Sequence, residues 1–316
     1  MRVLVTGGAG FIGSHLTEAL CRRGFQVAVL DNLSSGKRSN LSWAGPTDAL
    51  EFFLGNVTDP STLDRAIRGC DWVFHQAAVV SVPASVAQPL ETHHTNLTGT
   101  LNLLMAARQA GVKRFVFASS SAVYGEHSDR AKAETLTPSP LSPYAVHKLA
   151  AEQYLRLFYQ LYGLETVSLR YFNVFGPRQA FDSPYSGVIA KFCTALLAGQ
   201  RPRIFGDGRQ SRDFVYVDNV IAANLLAAEA PAERVAGRQF NVGGGQSVSL
   251  LELLAELQRL IGSTLAPEFA PSRPGDIRNS QADLTAVRAA LGFEPRVTWQ
   301  QGLEQTLDAY RRASAV

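Results

Sequence analysis

The sequence has few of the features that indicate a secreted protein or a metal site. It has three cysteines in 316 residues, far apart and without the short spacings of a disulfide framework or a zinc site. Its longest run without a formal charge, residues 72–90, includes two prolines, a histidine and two glutamines, which excludes an apolar membrane helix. No apolar run of signal-peptide length precedes the first predicted strand. We therefore expect a cytoplasmic protein with no metal site and no membrane partner.

The chain also has no large excess of positive or negative charge. Lys and Arg number 30 against 27 Asp and Glu, a net charge of +3, and the basic residues are scattered along the chain. Nucleic acid is therefore not an implied partner. Apolar residues make up 46% and charged residues 18%, which excludes a disordered or fibrous chain and indicates a globular protein with a large core.

Strand-like and helix-like segments alternate through the first 170 residues. This pattern predicts repeated βαβ units that feed a doubly wound parallel sheet with helices on both faces. The predicted strands are residues 2–6, 26–30, 51–54, 71–75, 114–119 and 165–169, and the predicted helices are 11–23, 96–110, 143–162 and 188–198. After residue 170, loops rich in glycine and proline indicate a smaller lobe. We expect a first domain at 1–173, rejoined at about 213–261, and a second lobe at 174–212 and 262–316.

A glycine-rich segment follows the first predicted strand directly. It reads Gly7-Gly-Ala-Gly-Phe-Ile-Gly13, in which glycines permit a tight turn and the close approach of a pyrophosphate to the backbone. The helix that starts here would offer its first N–H groups to that anion. Asp31 ends the second strand, where a carboxylate binds an adenosine ribose and repels a 2′-phosphate. The segment predicts a site for NAD rather than NADP, although Lys37 and Arg38 lie nearby in sequence.

Tyr144 and Lys148 form the chain's only YxxxK pair. At an i,i+4 spacing on one helix face, the ammonium of the lysine lies beside the phenol of the tyrosine. A cation stabilises the phenolate and lowers its pKa, as a tyrosine that acts as a general base requires. Three serines, 119–121, end the fifth predicted strand and supply a hydroxyl to the same edge of the sheet.

These segments resemble the extended short-chain dehydrogenase/reductase family over nearly the whole chain. The resemblance lies in residues 6–13, 31–32, 75–78, 119–125, the Tyr144/Lys148 pair and 170–177. Within that family, residues 206–213 and 273–278 are similar to the UDP-binding segments of NAD-dependent nucleotide-sugar 4-epimerases, those that act on UDP-glucose or UDP-N-acetylglucosamine. The resemblance implies a Rossmann-type α/β domain with tightly held NAD and a smaller C-terminal α/β lobe that binds a UDP-sugar.

The resemblance also implies roles for individual residues. Tyr144 takes the proton of the sugar 4′-hydroxyl while hydride passes to the nicotinamide and leaves a 4-keto sugar, and Lys148 binds the nicotinamide ribose. For the serine that holds the reacting oxygen we favour Ser121 and keep Ser120 in reserve, because the loop is one residue shorter than in some members. The implied cofactor contacts are Gly7, Gly10, Phe11, Ile12, Gly13, Asp31, Asn32, Asn56, Val57, Gln76, Ala77, Ala78, Asn96, Ser119, Tyr144, Lys148, Tyr171 and Phe172. The implied substrate contacts are Ser121, Tyr144, Asn173, Gly187, Val188, Arg203, Ile204, Phe205, Arg212, Arg273, Asp276 and Ser280.

Several alternatives remain open at this point. Ser121-Ala122 stand where members that dehydrate or decarboxylate their sugars place acidic residues, which favours epimerisation alone. Small residues at Gly187 and Ser280 leave room for an N-acetyl group, whereas Arg178 could meet the carboxylate of UDP-glucuronate. A silent NAD-binding regulator and a net dehydrogenase are further alternatives. The helices at 96–110 and 143–162 could also pair across a homodimer.

Overall fold

The computed structural model describes residues 1–127, 131–180, 187–272 and 277–314. Its strands are β1 (Arg2–Thr6), β2 (Gln26–Asp31), β3 (Leu50–Leu54), β4 (Trp72–His75), β5 (Arg114–Ser120), β6 (Glu165–Tyr171), β7 (Asn173–Phe175), β8 (Arg203–Phe205), β9 (Ser211–Arg212), β10 (Phe214–Tyr216), β11 (Arg238–Val242), β12 (Val248–Ser249) and β13 (Glu268–Ala270). Its helices are α1 (Phe11–Arg22), α2 (Pro60–Ile67), α3 (Val82–Ala87), α4 (Pro89–His93), α5 (Gly99–Gln109), α6 (Pro143–Tyr162), α7 (Val188–Leu197), α8 (Val217–Glu229), α9 (Ala232–Val235), α10 (Leu250–Ile261), α11 (Thr285–Leu291) and α12 (Trp299–Ser314).

A seven-stranded parallel sheet forms the centre of the molecule, in the order β11-β6-β5-β4-β1-β2-β3. The six predicted strands are all present, with ends that differ by at most two residues. The chain runs outward from β1 to β3 and then crosses back to β4 and outward again. Between β1 and β4 the direction of winding therefore reverses, which is where ligands bind in open α/β sheets. The predicted Rossmann-type fold is confirmed.

Alternate residues of the central strands face opposite sides of this sheet. Val3 and Val5 of β1 and Val116 of β5 belong to one buried cluster, together with residues of α1 and α8. Leu4 and Phe117 point the other way, into a second cluster with α2, α5 and α6. Apolar side chains on both faces are typical of a parallel sheet covered by helices on both sides. The core thereby fixes the strand register on which the site depends.

Three of the predicted helices have the expected bounds to within a residue. In α6, the Ser142 side chain accepts a hydrogen bond from Ala145 N at 3.2 Å and Gly163 ends the helix at φ 71°. The helix predicted at 96–110 differs, because a π-helical turn, His94–Thr98, precedes α5. Within that turn, the Asn96 side chain bonds both the N–H and the C=O of Val79. Such turns occur often at functional sites.

Beyond β6 the chain forms three two-stranded sheets, β7 with β10, β8 with β13 and β9 with β12. β11 returns to the central sheet beside β6. The exact residue boundaries of the two lobes stay a prediction. Across the described residues, no helix has both the length and the apolar character needed to cross a membrane.

Candidate active site

The glycine segment forms a tight turn between β1 and α1. Gly7 has φ +69°, and a Cβ atom there would lie 2.7 Å from the backbone nitrogen of Ala77. A Cβ at Gly13 would lie 2.0 Å from the carbonyl oxygen of Gly7. Gly10 caps α1 without a side-chain acceptor, so the N–H groups of Phe11, Ile12 and Gly13 have no intrahelical partner. A backbone cradle with unpaired N–H groups fits the pyrophosphate of a dinucleotide.

Asp31 lies at the end of β2 and is tied to this turn. Its carboxylate accepts hydrogen bonds from Ala9 N at 3.0 Å and Leu33 N at 2.8 Å, and the residue is buried. Asn32 follows it, with its side-chain oxygen bonded to Ser34 N. The Arg38 guanidinium stacks 4.2 Å from the centre of the Phe52 ring of β3. A fixed carboxylate at this position fits the ribose of NAD, as the sequence predicts.

The next loops along this edge carry the other predicted cofactor residues. Asn56 turns the chain after β3 by accepting from Thr58 N, and Val57 is buried against Gly99. After β4, residues 76–78 pass beside the glycine turn, where Ala77 N donates to Thr6 Oγ1. The Gln76 amide bonds the Tyr171 hydroxyl and the side chain of Asn224, each at 3.2 Å. Phe172 is buried, with its ring 6.4 Å from that of Tyr124.

His75 is the last residue of β4 and is almost fully buried. Its Nδ1 lies 2.7 Å from Thr6 Oγ1 and its Nε2 lies 2.9 Å from Thr100 Oγ1. Thr100 donates its hydroxyl proton to the Asn96 carbonyl, so Nε2 of His75 must donate and Nδ1 must accept. Burial, assisted by the charge of Lys148, lowers the pKa of His75 to about 3. The imidazole is therefore neutral in the folded protein.

Tyr144 and Lys148 face the edge of the sheet from the first turns of α6. The Tyr144 backbone N–H donates to Ser85 Oγ at 3.2 Å, which ties the start of α6 to α3. Lys148 Nζ donates to the carbonyl of Ala118 at 2.7 Å. That nitrogen lies 4.7 Å from the centre of the Phe117 ring and 5.8 Å from the centre of the Tyr144 ring. β4 ends opposite Phe117, whereas β5 continues to Ser120, so Lys148 bonds β5 beyond the end of its neighbour.

Two pKa shifts describe the electrostatics of this pair. Burial raises the pKa of Tyr144, and a hydrogen bond with the Ser120 side chain acts in the opposite direction. Burial lowers the pKa of Lys148 to about 7, and the carboxylate of Glu152 opposes this shift. The ammonium of Lys148 therefore titrates close to neutral pH, where a small change in its surroundings alters its charge.

The three serines at the end of β5 have different surroundings. Ser120 is the one whose hydroxyl interacts with the Tyr144 side chain, and it also accepts from Ala122 N at 3.2 Å. Ser121, which the sequence favours as the catalytic serine, begins the 3₁₀ helix Ser121–Tyr124. Ser119 donates to Glu152 at 2.5 Å in the interior. The geometry thus brings the reserve candidate, Ser120, to the tyrosine.

Sequence reasoning missed the group behind Lys148. Glu152 lies one helical turn after Lys148, and Arg170 of β6 donates to both of its oxygens, at 2.9 Å and 2.7 Å. Glu152 and Arg170 are both buried, at 5% and 2% exposure. The signal was available, because Tyr144, Lys148 and Glu152 recur at intervals of four residues and so share one helix face.

The predicted substrate residues lie in and around the small sheets. Arg212 Nη1 donates to the carbonyls of Ser211 and Ile277, and Ser280 is buried with its N–H on Ser211 O. The others are Asn173 in β7 with its N–H on Asp213 O, Gly187 and Val188 at the start of α7, and Arg203, Ile204 and Phe205 in β8. The predictions for Arg273 and Asp276 lie outside the described residues.

Arg178 has a different role in the structure from the one that an acidic sugar would need. It has φ +63°, unusual for a residue with a side chain, and its guanidinium forms an ion pair with Glu18 of α1. The Pro177 carbonyl just before it lies 3.0 Å from Nε2 of His15, also on α1. The loop after β7 is thus held to the helix that starts at the glycine turn.

Comparisons with known proteins agree with this geometry. Residues 3–243 match the model of the NAD dependent epimerase/dehydratase family. The chain is 41% identical to a UDP-glucose 4-epimerase of Mycolicibacterium smegmatis, over 99% of this chain and 100% of that protein. It is similar to the structure of a UDP-N-acetylglucosamine 4-epimerase from Methanobrevibacter ruminantium in complex with UDP-N-acetylmuramic acid, at a TM-score of 0.93 and 40% identity, covering 99% of this chain and 98% of the other. A UDP-glucose 4-epimerase from Thermus thermophilus in complex with NAD gives a TM-score of 0.89 at 42% identity, covering 99% and 100%.

Proposed function

Because the chain belongs to the NAD-dependent epimerase/dehydratase family, we propose that it inverts the configuration at C4 of a UDP-hexose. This membership confirms two predictions from the sequence: that the protein is an NAD-dependent enzyme, and that it is related to the nucleotide-sugar epimerases. The observation that carries the proposed reaction is the grouping of Ser120, Tyr144 and Lys148 at the sheet edge beside the glycine turn. A hydroxyl, a phenol and an ammonium at this place suit the removal of a proton from a sugar hydroxyl.

Each of the three side chains has a step of its own in this proposal. Tyr144, as phenolate, accepts the proton of the 4′-hydroxyl, and Ser120 donates a hydrogen bond to the oxygen that becomes the carbonyl. Lys148, held at the Ala118 carbonyl, stabilises the phenolate by its charge. NAD, when bound, supplies the hydride acceptor and donor. After the sugar turns over, Tyr144 returns its proton to the same oxygen, so the cycle closes without net oxidation.

We take UDP-N-acetylhexosamines as well as UDP-glucose and UDP-galactose as the proposed substrates. Gly187 supports this choice, because within the described residues a Cβ atom there would meet nothing closer than the Gln179 amide at 3.6 Å. Arg212, with Ile204 and Phe205, is proposed to bind the UDP moiety, since a planar guanidinium suits a diphosphate. UDP-glucuronate is the weaker candidate, because the side chain that would meet its carboxylate, Arg178, is paired with Glu18.

A homodimer is part of the same proposal. Apolar side chains of α5 and α6 are exposed, among them Met105 at 41%, Leu157 at 42% and Leu161 at 66%. Helices with an uncovered apolar face are typical of a subunit interface. Leu161→Arg is expected to give a monomer by light scattering, whereas the matched change Leu251→Arg, on α10, leaves the mass unchanged. A wild-type protein that is monomeric at micromolar concentration would contradict this part of the proposal.

The decisive test offers three sugars separately. The purified protein is incubated with UDP-glucose, UDP-N-acetylglucosamine and UDP-glucuronate, and the C4 epimers are separated. We expect turnover of the first two without stoichiometric NAD. A requirement for one NAD per sugar would favour a net dehydrogenase, conversion of UDP-glucuronate alone would favour the acidic-sugar alternative, and no turnover of any sugar would favour a silent NAD-binding regulator.

A further inference from the structure

A buried ion pair lies directly behind the lysine of the proposed active site. Both oxygens of Glu152 are used, one by Arg170 Nη2 and the other by Arg170 Nε and the Ser119 hydroxyl. The Arg170 guanidinium also lies 4.8 Å from the centre of the Tyr124 ring, and the Tyr124 hydroxyl donates to Asn241 at 2.7 Å. These bonds hold the carboxylate of Glu152 in one position beside α6. A carboxylate is thereby fixed one helical turn from Lys148.

Such a pair is not needed for a stable core. Taking two charges out of water costs several kcal/mol per ion, and packed apolar residues of similar volume are often as stable. Arg170 spans β6 to α6, where its guanidinium contacts Glu152 and the Tyr124 ring and both charged side chains are buried. A stabilising role alone therefore gives little reason for charges here, whereas a carboxylate close to an ammonium has a clear electrostatic effect.

Several other titratable or charged groups surround Lys148. Those that face it or its immediate partners are Tyr144, His147 and Glu152 on α6, His75 on β4, Arg170 on β6, Tyr124 after β5, and His93 on α4, whose ring lies 5.2 Å from that of His147. Glu152 is the group that raises the pKa of Lys148. Burial acts the other way and is the larger effect.

We propose that Glu152 is a positioning residue that keeps Lys148 charged at the pH at which Tyr144 works, and that Arg170 and Ser119 hold it in place. The inference rests on the proposed function, in which the Lys148 ammonium stabilises the Tyr144 phenolate. Without the carboxylate, Lys148 becomes neutral at a lower pH and the phenolate loses its counter-charge. The reaction would then fail at the alkaline side of its present range.

The test uses Glu152→Gln and the double variant Glu152→Gln/Arg170→Met, which leaves no unpaired guanidinium. We expect the alkaline limb of the kcat profile to move down by about one pH unit in both. A second readout needs no sugar. The absorbance of tyrosinate is measured as a function of pH for wild type and for each variant, with and without the additional change Tyr144→Phe. The difference between the two curves gives the pH at which Tyr144 is half ionised. In the double variant the pH at which Tyr144 is half ionised is expected to rise.

The double variant separates charge from structure. If the pair only stabilises the fold, removing both charges restores the melting temperature and the wild-type pH profile together, which would overturn the proposal. Glu152→Asp keeps the carboxylate and is expected to keep the alkaline limb within about 0.3 unit of wild type, a small part of the shift that an opposite charge causes. The same displacement in Glu152→Asp as in Glu152→Gln would also overturn it.

A matched control comes from the other end of the same strands. Arg114, 5% exposed, pairs with Glu165 at 2.8 Å between the first residues of β5 and β6. Glu165→Gln likewise removes the carboxylate partner of a buried arginine, which keeps its bonds to the Ala227 and Ala230 carbonyls. No pH shift is expected, because Lys148 lies at the opposite edge. A shift of the pH profile in Glu165→Gln would indicate that general destabilisation, rather than the charge of Glu152, causes the effect. If wild type turned over no sugar, the proposed function would fail, and the Tyr144 titration would still decide the role of Glu152.

Discussion

The two lobes of the protein hold their charged residues in different ways. At the edge of the central sheet, Asp31, Lys148 and Glu152 are buried and bonded to backbone or to a partner. Around the small sheets, ion pairs such as Arg278 with Asp207 lie at the surface, where both side chains are about half exposed. Buried, fully bonded groups are fixed in position, and burial lowers the pKa of Lys148 to about 7, whereas surface pairs contribute little to stability.

This contrast suggests a division of labour between the lobes. Proton transfer requires atoms held to within a fraction of an ångström, and the sheet edge provides that rigidity. Recognition of a nucleotide diphosphate needs charge and a complementary surface, which short strands and loops can supply and vary. Substitutions at the sheet edge should therefore affect the rate of the chemical step, and substitutions in the small lobe should affect the binding of the sugar nucleotide.

The largest effect is expected for Tyr144→Phe. The change removes one hydroxyl from a buried ring, and with it the group proposed to take the proton, so kcat should fall by about 10³-fold. Binding of UDP, measured by calorimetry, should stay within about twofold, a free-energy change of about 0.4 kcal/mol. Retention of full sugar turnover would remove Tyr144 from the mechanism.

Gly13→Ala tests the backbone cradle. The new methyl group would meet the Gly7 carbonyl oxygen at 2.0 Å, so the turn must open, at a cost of about 1–3 kcal/mol in the free energy of unfolding. The NAD content of the purified protein should fall together with stability. Gly45→Ala is the matched control, since among the residues that the structure describes its Cβ would meet nothing closer than 3.8 Å. Equal NAD retention in both variants would argue against the cradle.

Arg212→Lys addresses the small lobe. The charge remains but the planar fork is lost, so KM for the UDP-sugar should rise about tenfold while kcat changes little. NAD content should stay at the wild-type level, in contrast to Gly13→Ala. Arg259→Lys on α10 serves as a surface control. A fall in kcat at constant KM would place Arg212 in the chemical step and blur the division between the lobes.

The smallest effect concerns pH and stability. The pKa of His75 is lowered on folding, so the unfolded chain binds the extra proton and stability declines as pH falls below about 6.5, down to the folded pKa of about 3. Between pH 7.5 and pH 5.5 this group should cost about 1.4 kcal/mol in the free energy of unfolding. Urea titrations of wild type and His75→Gln measure it, and an identical pH slope in both would contradict the assignment.

Sequence reasoning predicted the central sheet well because each strand carries its own signal. β1, β2 and β5 are runs of β-branched and apolar residues bounded by turns, and their burial on both faces follows from composition alone. The pairing of β8 with β13 was not predicted. These strands have three residues each and lie more than sixty positions apart, so neither periodicity nor local turn chemistry indicates that they meet.

The candidate active site shows the same limit at finer scale. The positions of Tyr144 and Lys148 follow from helix periodicity, and both lie where the spacing predicts. Which of three adjacent serines faces Tyr144 depends on where β5 ends and the 3₁₀ turn begins, and helix and strand ends are the least certain part of any sequence prediction. The partner of Glu152 is Arg170, 18 positions away on a different element, so only the folded arrangement reveals the pair.

β4 ends earlier along the sheet than β5, and this difference affects how the site would respond to an insertion. The Ala118 carbonyl that receives Lys148 belongs to β5 just past the point where β4 stops. The acceptor of the ammonium therefore depends on the length of a neighbouring strand as well as on the side chains around it. An insertion that lengthened β4 by one or two residues would bring a second backbone against Ala118. The lysine would then lose its anchor with every active-site residue still in place.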